Sequence, residues 1–158
     1  MSKLAGAFAI NADKLRIRTF EYNGQTFHVR IPLAKEAEEM FDRVENPSEE
    51  LVNKKFHELT KSLYEKKDDI IESNADIKFL DDDVIVGDKS LKEMAKSQAK
   101  GEVRILESIK LLVPTDGQNL NDITYEDVEI EFPLPVQLSL VKKIAEVVSP
   151  AYEDVRKN

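Results

Sequence analysis

The chain has 158 residues, enough for one ordinary domain whose core needs no covalent staples. It contains no cysteine, which excludes disulfides, thiolate metal sites and thiol nucleophiles and fits a reducing compartment. Acidic residues number 31 against 23 basic ones, and the net charge of −8 opposes long-range attraction to nucleic acid or to an anionic membrane.

Residues 1–12 read as a flexible arm or a first strand. One lysine and a brief apolar run do not make the apolar region and cleavage site of a signal peptide. The longest apolar stretch, 134–141, falls far short of the ~20 residues that span a bilayer. Over 15–31, Leu15, Ile17 and Thr19 alternate with Arg16, Arg18 and Phe20. After Asn23-Gly24, Phe27, Val29 and Ile31 alternate with His28 and Arg30. An Asn-Gly pair accepts positive φ, so this is a β-hairpin, with His28 and Arg30 facing solvent. Pro32 ends the ladder because it has no N–H to donate.

Helical spacing of Leu33, Ala37, Met40, Phe41 and Val44 predicts a helix over 33–44. A second, long helix is expected over 47–72, capped by Asn46, with Pro47 in its first turn and Glu49 reaching back. Its stripe is Leu51, Val52, Phe56, Leu59, Leu63, Ile70 and Ile71, interrupted by Lys66 and Lys67. Residues 73–89 are open to two short strands, a small hairpin or a docking loop. Ser90 and Glu93 form a capping box before a helix of about 90–112, with Gly101 as its weak point and a break there as the alternative. Pro114 closes it.

A polar loop, 115–121, leads to a short helical start at Thr124 and Asp127. Pro133-Leu134-Pro135 interrupts, and the last helix, 135–148, lines one face with Val136, Leu140, Val141, Ile144, Val147 and Val148. Residues 149–158 read as a flexible tail. No repeat or linker divides the chain, so one domain over 1–158 is expected. Its order, hairpin first and helices after, predicts an α+β fold: an N-terminal antiparallel β-hairpin or small sheet packed against a mostly helical layer.

Signals for chemistry are sparse. Neither His28 nor His57 has a second histidine at four-residue spacing, and a zinc site needs three or four ligands. Glu36, Glu38 and Glu39 could pair carboxylates, but on a polar face where nothing drives their pKa values apart. Asp81, Asp83 and Asp88 are the best grouping for a cation, and they fail the EF-hand pattern because Val84 and Val86 occupy ligand positions. The glycines form no phosphate-binding array; Gly87-Asp88-Lys89-Ser90 lacks the upstream glycine. Arg16, Arg18, His28 and Arg30 interleaved with Phe20, Tyr22 and Phe27 could stack bases, against the overall charge. No enzymatic activity, metal or cofactor is therefore expected, and neither nucleic acid nor membrane is expected as a partner. What remains is surface for another protein: a helix in a groove, or an added edge strand. The expected contact residues are Phe56, Leu59 and Leu63 on the long helix and Leu140 and Ile144 on the last.

The hairpin LRIRTFEYNGQTFHVRIP, the acidic helix LAKEAEEMFDRV and the late segment ITYEDVEIEFPLPVQLSLVKKIAEVV together resemble the tail assembly chaperones of long-tailed bacteriophages, over residues 15–148. The resemblance implies a small α+β domain that holds the tape measure protein dispersed and recruits tail tube subunits. It implies action in the host cytoplasm and, in some members, a longer frameshifted form. Alternatives are another acidic phage adaptor, a nucleic-acid-mimicking inhibitor, or an enzyme with an unmarked site around His57. The hairpin edge could also pair copies into a homo-oligomer.

Overall fold

The computed structural model describes residues 3–8, 12–73 and 75–149. In chain order they form α1 (Lys3–Phe8), α2 (Ala12–Leu15), β1 (Ile17–Tyr22), β2 (Gln25–Arg30), α3 (Ala34–Glu45), α4 (Glu49–Glu65), α5 (Lys67–Glu72), β3 (Ile77–Phe79), β4 (Val84–Val86), β5 (Lys89–Ser90), α6 (Leu91–Ile109), α7 (Tyr125–Glu131) and α8 (Leu134–Val148). Within the stretch expected to be an arm, 3–8 is helical, and 9–11 lie outside the described residues. So does the expected tail from residue 150 onward. The fold is α+β, an N-terminal antiparallel sheet packed against a mostly helical region. Two compact units divide the chain, one from residues up to Met40 together with those from Arg104 onward, the other Phe41–Val103. Among the described residues no helix is long and apolar enough to cross a membrane.

The first unit is built on the hairpin. Asn23 and Gly24 have φ of 50° and 76°, the pair of positive values that a two-residue turn between twisted strands requires. The turn sets the register, which places Phe20 opposite Phe27 and Arg18 opposite Val29. The Phe20 and Phe27 rings stack with centroids 5.3 Å apart. Strand β1 therefore turns its Phe20 side inward, and Ile17, on the other parity, is exposed. Under the sheet, Val29, Ile105, Ile109, Leu111, Val128, Leu140 and Ile144 join Phe20 in one buried cluster.

Helix α6 runs unbroken through Gly101 but ends at Ile109, earlier than its apolar pattern suggests. The next residues pair with the hairpin: Arg30 N–H donates to Leu111 O and Val113 N–H to His28 O, each at 2.8 Å. A sheet edge thus captures Leu111–Val113 before Pro114. Helix α7 starts as its sequence predicts, with a reciprocal box between Thr124 and Asp127. At the far end of α8, Arg18 Nη1 donates to Val147 O at 3.1 Å, satisfying one of the carbonyls a helix terminus leaves open.

The second unit holds α4, α5 and the small antiparallel sheet β3-β4-β5. The long helix expected over 47–72 is interrupted at Lys66, whose φ of −108° and ψ of 18° leave the helical range. Its cap is Ser48, whose hydroxyl accepts from Leu51 N–H at 3.2 Å, instead of Asn46. Asn46 looks backward, its amide donating to the Asp42 carboxylate at 2.9 Å. Leu91, Ala95 and Ala99 make a buried stripe at four-residue spacing along α6. An ion pair, Lys55 Nζ to Glu102 Oε2 at 2.9 Å, ties α4 to α6.

Within the stretch left open, 73–89, Ile77–Phe79 and Val84–Val86 form strands that pair with each other and, through β4, with Lys89–Ser90, and the aspartate run is the first turn of this sheet. Asp83 joins that turn to the start of α6. Its Oδ1 accepts from Val84 N–H at 2.7 Å and from Lys92 N–H at 2.9 Å, and its Oδ2 accepts from the Ser90 hydroxyl. The Ser90 oxygen in turn accepts from Glu93 N–H at 3.1 Å. Two first-turn donors of α6 are thereby satisfied from two directions. Burial pushes the Asp83 carboxyl up, but hydrogen bonds from Ser90, Lys92 and Val84, with the Lys92 charge, outweigh it, and its pKa lies below the ordinary value. A depressed folded-state pKa contributes stability above the unfolded value and loses it as pH falls through the folded one. Asp83→Asn keeps one acceptor oxygen but removes the charge and the second acceptor, and is therefore expected to lower stability at neutral pH. The gap from the wild type should begin to narrow near about pH 4, where an unfolded aspartate protonates, and close only once pH falls below the lower folded-state value. Thermal unfolding across pH reads this directly.

Candidate partner-binding surface

The histidines and carboxylates singled out in the sequence do not converge. His57 is exposed on α4, and His28 is half-buried on β2. Glu36 is engaged by two arginines, Arg30 Nη1 at 2.7 Å and Arg16 Nη2 at 3.7 Å. Arg30 therefore faces Glu36 on α3 and not open solvent, and this hydrogen bond outweighs partial burial and raises its pKa above the ordinary value. Among the described residues no group of three His, Cys, Asp or Glu side chains is placed to hold a metal ion. The base-stacking face is likewise dispersed. Arg16, Arg18 and Arg30 are spent on Ile31 O, Val147 O and Glu36, and Phe20 is in the core.

The expected contact residues separate into two kinds. Leu140 and Ile144, 0% and 2% exposed, are core. The face of α8 that carries them packs on the hairpin, so they offer a partner nothing. The large apolar residues that α8 does expose are Leu134 and Leu138. Phe56, Leu59 and Leu63 are half-buried along α4.

Another apolar surface lies elsewhere in the first unit. A groove of about 730 Å³ opens between the start of β2, the strand-like segment ending at Pro114, the following loop, and α7. That volume falls in the range of ligand-binding clefts, roughly 300–1,000 Å³. Phe27, Leu112, Leu120, Ile123, Ile130 and Phe132 supply its apolar lining. Ile130 is 81% exposed. Asp116, Asp127 and Glu131 supply its charge, and neither Lys nor Arg is among the lining residues.

Local sequence explains the exposed isoleucine. Val128 and Ile130 are two positions apart on a helix, about 200° around it, so both cannot face one core. Val128 is buried and Ile130 is turned out. That incompatibility was readable in EDVEIEF; the groove beside it was not, because β2 completes it from about 100 residues away along the chain. No protein-family model matches the chain, and neither a curated protein nor a solved structure is similar to it.

Proposed function

We propose that the chain is a non-enzymatic, protein-binding chaperone of the phage tail-assembly kind, which covers an apolar segment of a tape measure protein and recruits tail tube subunits in the host cytoplasm. The resemblance of residues 15–148 supplies the partner. The observation that supports a binding role is the acid-lined groove with Ile130 standing out of it. A long helical protein that self-associates through apolar stripes needs those stripes covered, and a cover that carries net negative charge keeps the complex dispersed. The groove combines both properties, and its carboxylates favour client segments in which apolar residues are flanked by Lys or Arg.

Ile130→Asp should weaken binding of a tape measure fragment by about tenfold or more, the scale of one buried isoleucine side chain. Because Ile130 is exposed, the fold should survive the change. Phe56→Ala, in the other unit, should leave the affinity as it is. Isothermal titration calorimetry with the full chain measures all three. An Ile130→Asp variant that binds as tightly as the wild type, or a wild type that binds neither tape measure nor tube protein, would remove this reading.

A further inference from the structure

The hairpin has one satisfied edge and one open edge. Along an antiparallel strand, successive residues direct their backbone N–H and C=O groups alternately to one side and the other. Arg16 O accepts from Ile31 N–H at 2.6 Å, so Arg16, Arg18 and Phe20 address β2, and Ile17, Thr19 and Glu21 address the opposite side. On β2 the outward residues are His28 and Arg30, and they bond Val113 and Leu111. On β1 no such partner exists: among the described residues, no backbone group outside the hairpin bonds Ile17, Thr19 or Glu21. All three side chains are exposed. Open edges are ordinarily guarded by shortness, a bulge, Pro or Lys. Strand β1 has six residues in unbroken register, without Pro or Lys, and Glu21 is the one charge among its outward residues.

We propose that this edge pairs with β1 of a second copy of the chain, antiparallel, about a two-fold axis at Thr19. An occupant must offer donors and acceptors at the same spacing, and a strand that is already extended loses little entropy in doing so. A second β1 meets both conditions, and a two-fold makes each contact twice. Charge points the same way. A net charge of −8 opposes contact between copies over most of the surface, but residues 12–23 hold Lys14, Arg16 and Arg18 against Asp13 and Glu21. The axis follows from the side chains. At Arg18 it would set two arginines directly opposite each other, and at Phe20 it would make the two exposed Glu21 carboxylates diagonal neighbours. At Thr19 the threonines face each other, Ile17 faces Glu21 of the second copy, and Arg18 keeps its bond to Val147 O. The two hairpins then share one sheet. No residue of β1 lines the groove, so both grooves stay clear of this contact.

A strand-edge contact of this size is weak and depends on concentration. Sedimentation velocity of the full chain, from about 1 to about 500 µM, should show monomer passing to dimer. Thr19→Lys, which opposes two cations across the axis and leaves the exposed face of the hairpin otherwise intact, should weaken the dimer about tenfold or more. The chain has no cysteine of its own, so single cysteines report the register. Residues paired about the axis have Cα atoms about 5.5 Å apart, within disulfide reach. Thr19→Cys should oxidise to a dimer at least about tenfold faster than Thr26→Cys, which lies on the same face one strand further in. Mixed Ile17→Cys and Glu21→Cys chains should give the mixed disulfide in excess of either homodimer, as non-reducing mass spectrometry reads. A chain that stays monomeric at the highest concentration would overturn the proposal, as would a dimer that Thr19→Lys leaves as tight, equal rates for Thr19→Cys and Thr26→Cys, or a statistical mixture of the three disulfides. None of these readouts uses Ile130 or a client, so the chaperone reading stands or falls separately.

Discussion

Leu140→Ala is expected to lower the stability of the folded chain by about 3 kcal/mol, within the range found for large-to-small changes at fully buried sites. Leu140 is wholly buried in the first unit, in the cluster that includes Phe20, Val29 and Ile144. Truncation removes three carbons from that environment and leaves a cavity between α8 and the hairpin. The packing around it includes a stacked Phe20–Phe27 pair whose register is locked by a two-residue turn, so collapse into the space is restricted. Leu138→Ala, two positions away on the exposed side of the same helix, should change stability by less than about 0.5 kcal/mol. Denaturant unfolding of both variants makes the comparison. Equal effects would mean that α8 is not seated as described.

Gln137→Ala should cost about 2 kcal/mol, through hydrogen bonds and not volume. Gln137 is 2% exposed, a polar side chain inside an apolar neighbourhood. Its amide nitrogen donates to Phe132 O at 2.7 Å, and its amide oxygen accepts from the Tyr125 hydroxyl at 2.8 Å. Phe132 ends α7 and Tyr125 begins it, so one side chain from α8 holds both ends of the preceding helix. Alanine leaves a part-buried carbonyl and a part-buried hydroxyl without this partner, and a stranded polar group costs about 1–3 kcal/mol. Tyr125→Phe should cost less, about 1 kcal/mol, because the bond from Gln137 to Phe132 O survives it. The two changes together should cost less than their sum, since they share one interaction. Thermal unfolding of the four chains closes this cycle, and an alanine variant as stable as the wild type would rule out the network. The same clamp positions Ile130 and Phe132 at the groove.

How far the fold was legible depended on whether its causes were local. The hairpin follows from Asn23-Gly24, and α7 from Thr124 and Asp127, because turn and cap chemistry act within four residues. The buried face of the last helix was also plain in its periodicity. Ambiguity entered where two neighbours could do one job. Asn46 and Ser48 are both good caps, and the choice of Ser48 leaves Asn46 to bond Asp42. Strand β1 has apolar residues on both parities, Ile17 on one and Phe20 with Tyr22 on the other, and only the pairing with Phe27 decides between them. Leu111–Val113 continue a helical pattern, yet a strand over 80 residues earlier draws them into a bridge. For the binding surface the obstacle was deeper. An amphipathic stripe has the same spacing whether it meets its own core or another protein. Leu140 and Ile144 belong to the first kind, and Ile130 was visible only as the residue that could not share a face with Val128.

A chain that works by covering apolar surface on another protein should change the solubility of that protein. Co-expression with the tape measure protein, followed by measurement of how much of it stays in the soluble fraction, puts this to the test. The wild-type chain is expected to keep the tape measure protein in solution as a complex, and Ile130→Asp, folded and equally abundant, to let it precipitate. A tape measure protein that stays soluble, or precipitates, to the same extent whether the chain is wild type, altered at Ile130 or missing would refute the covering role.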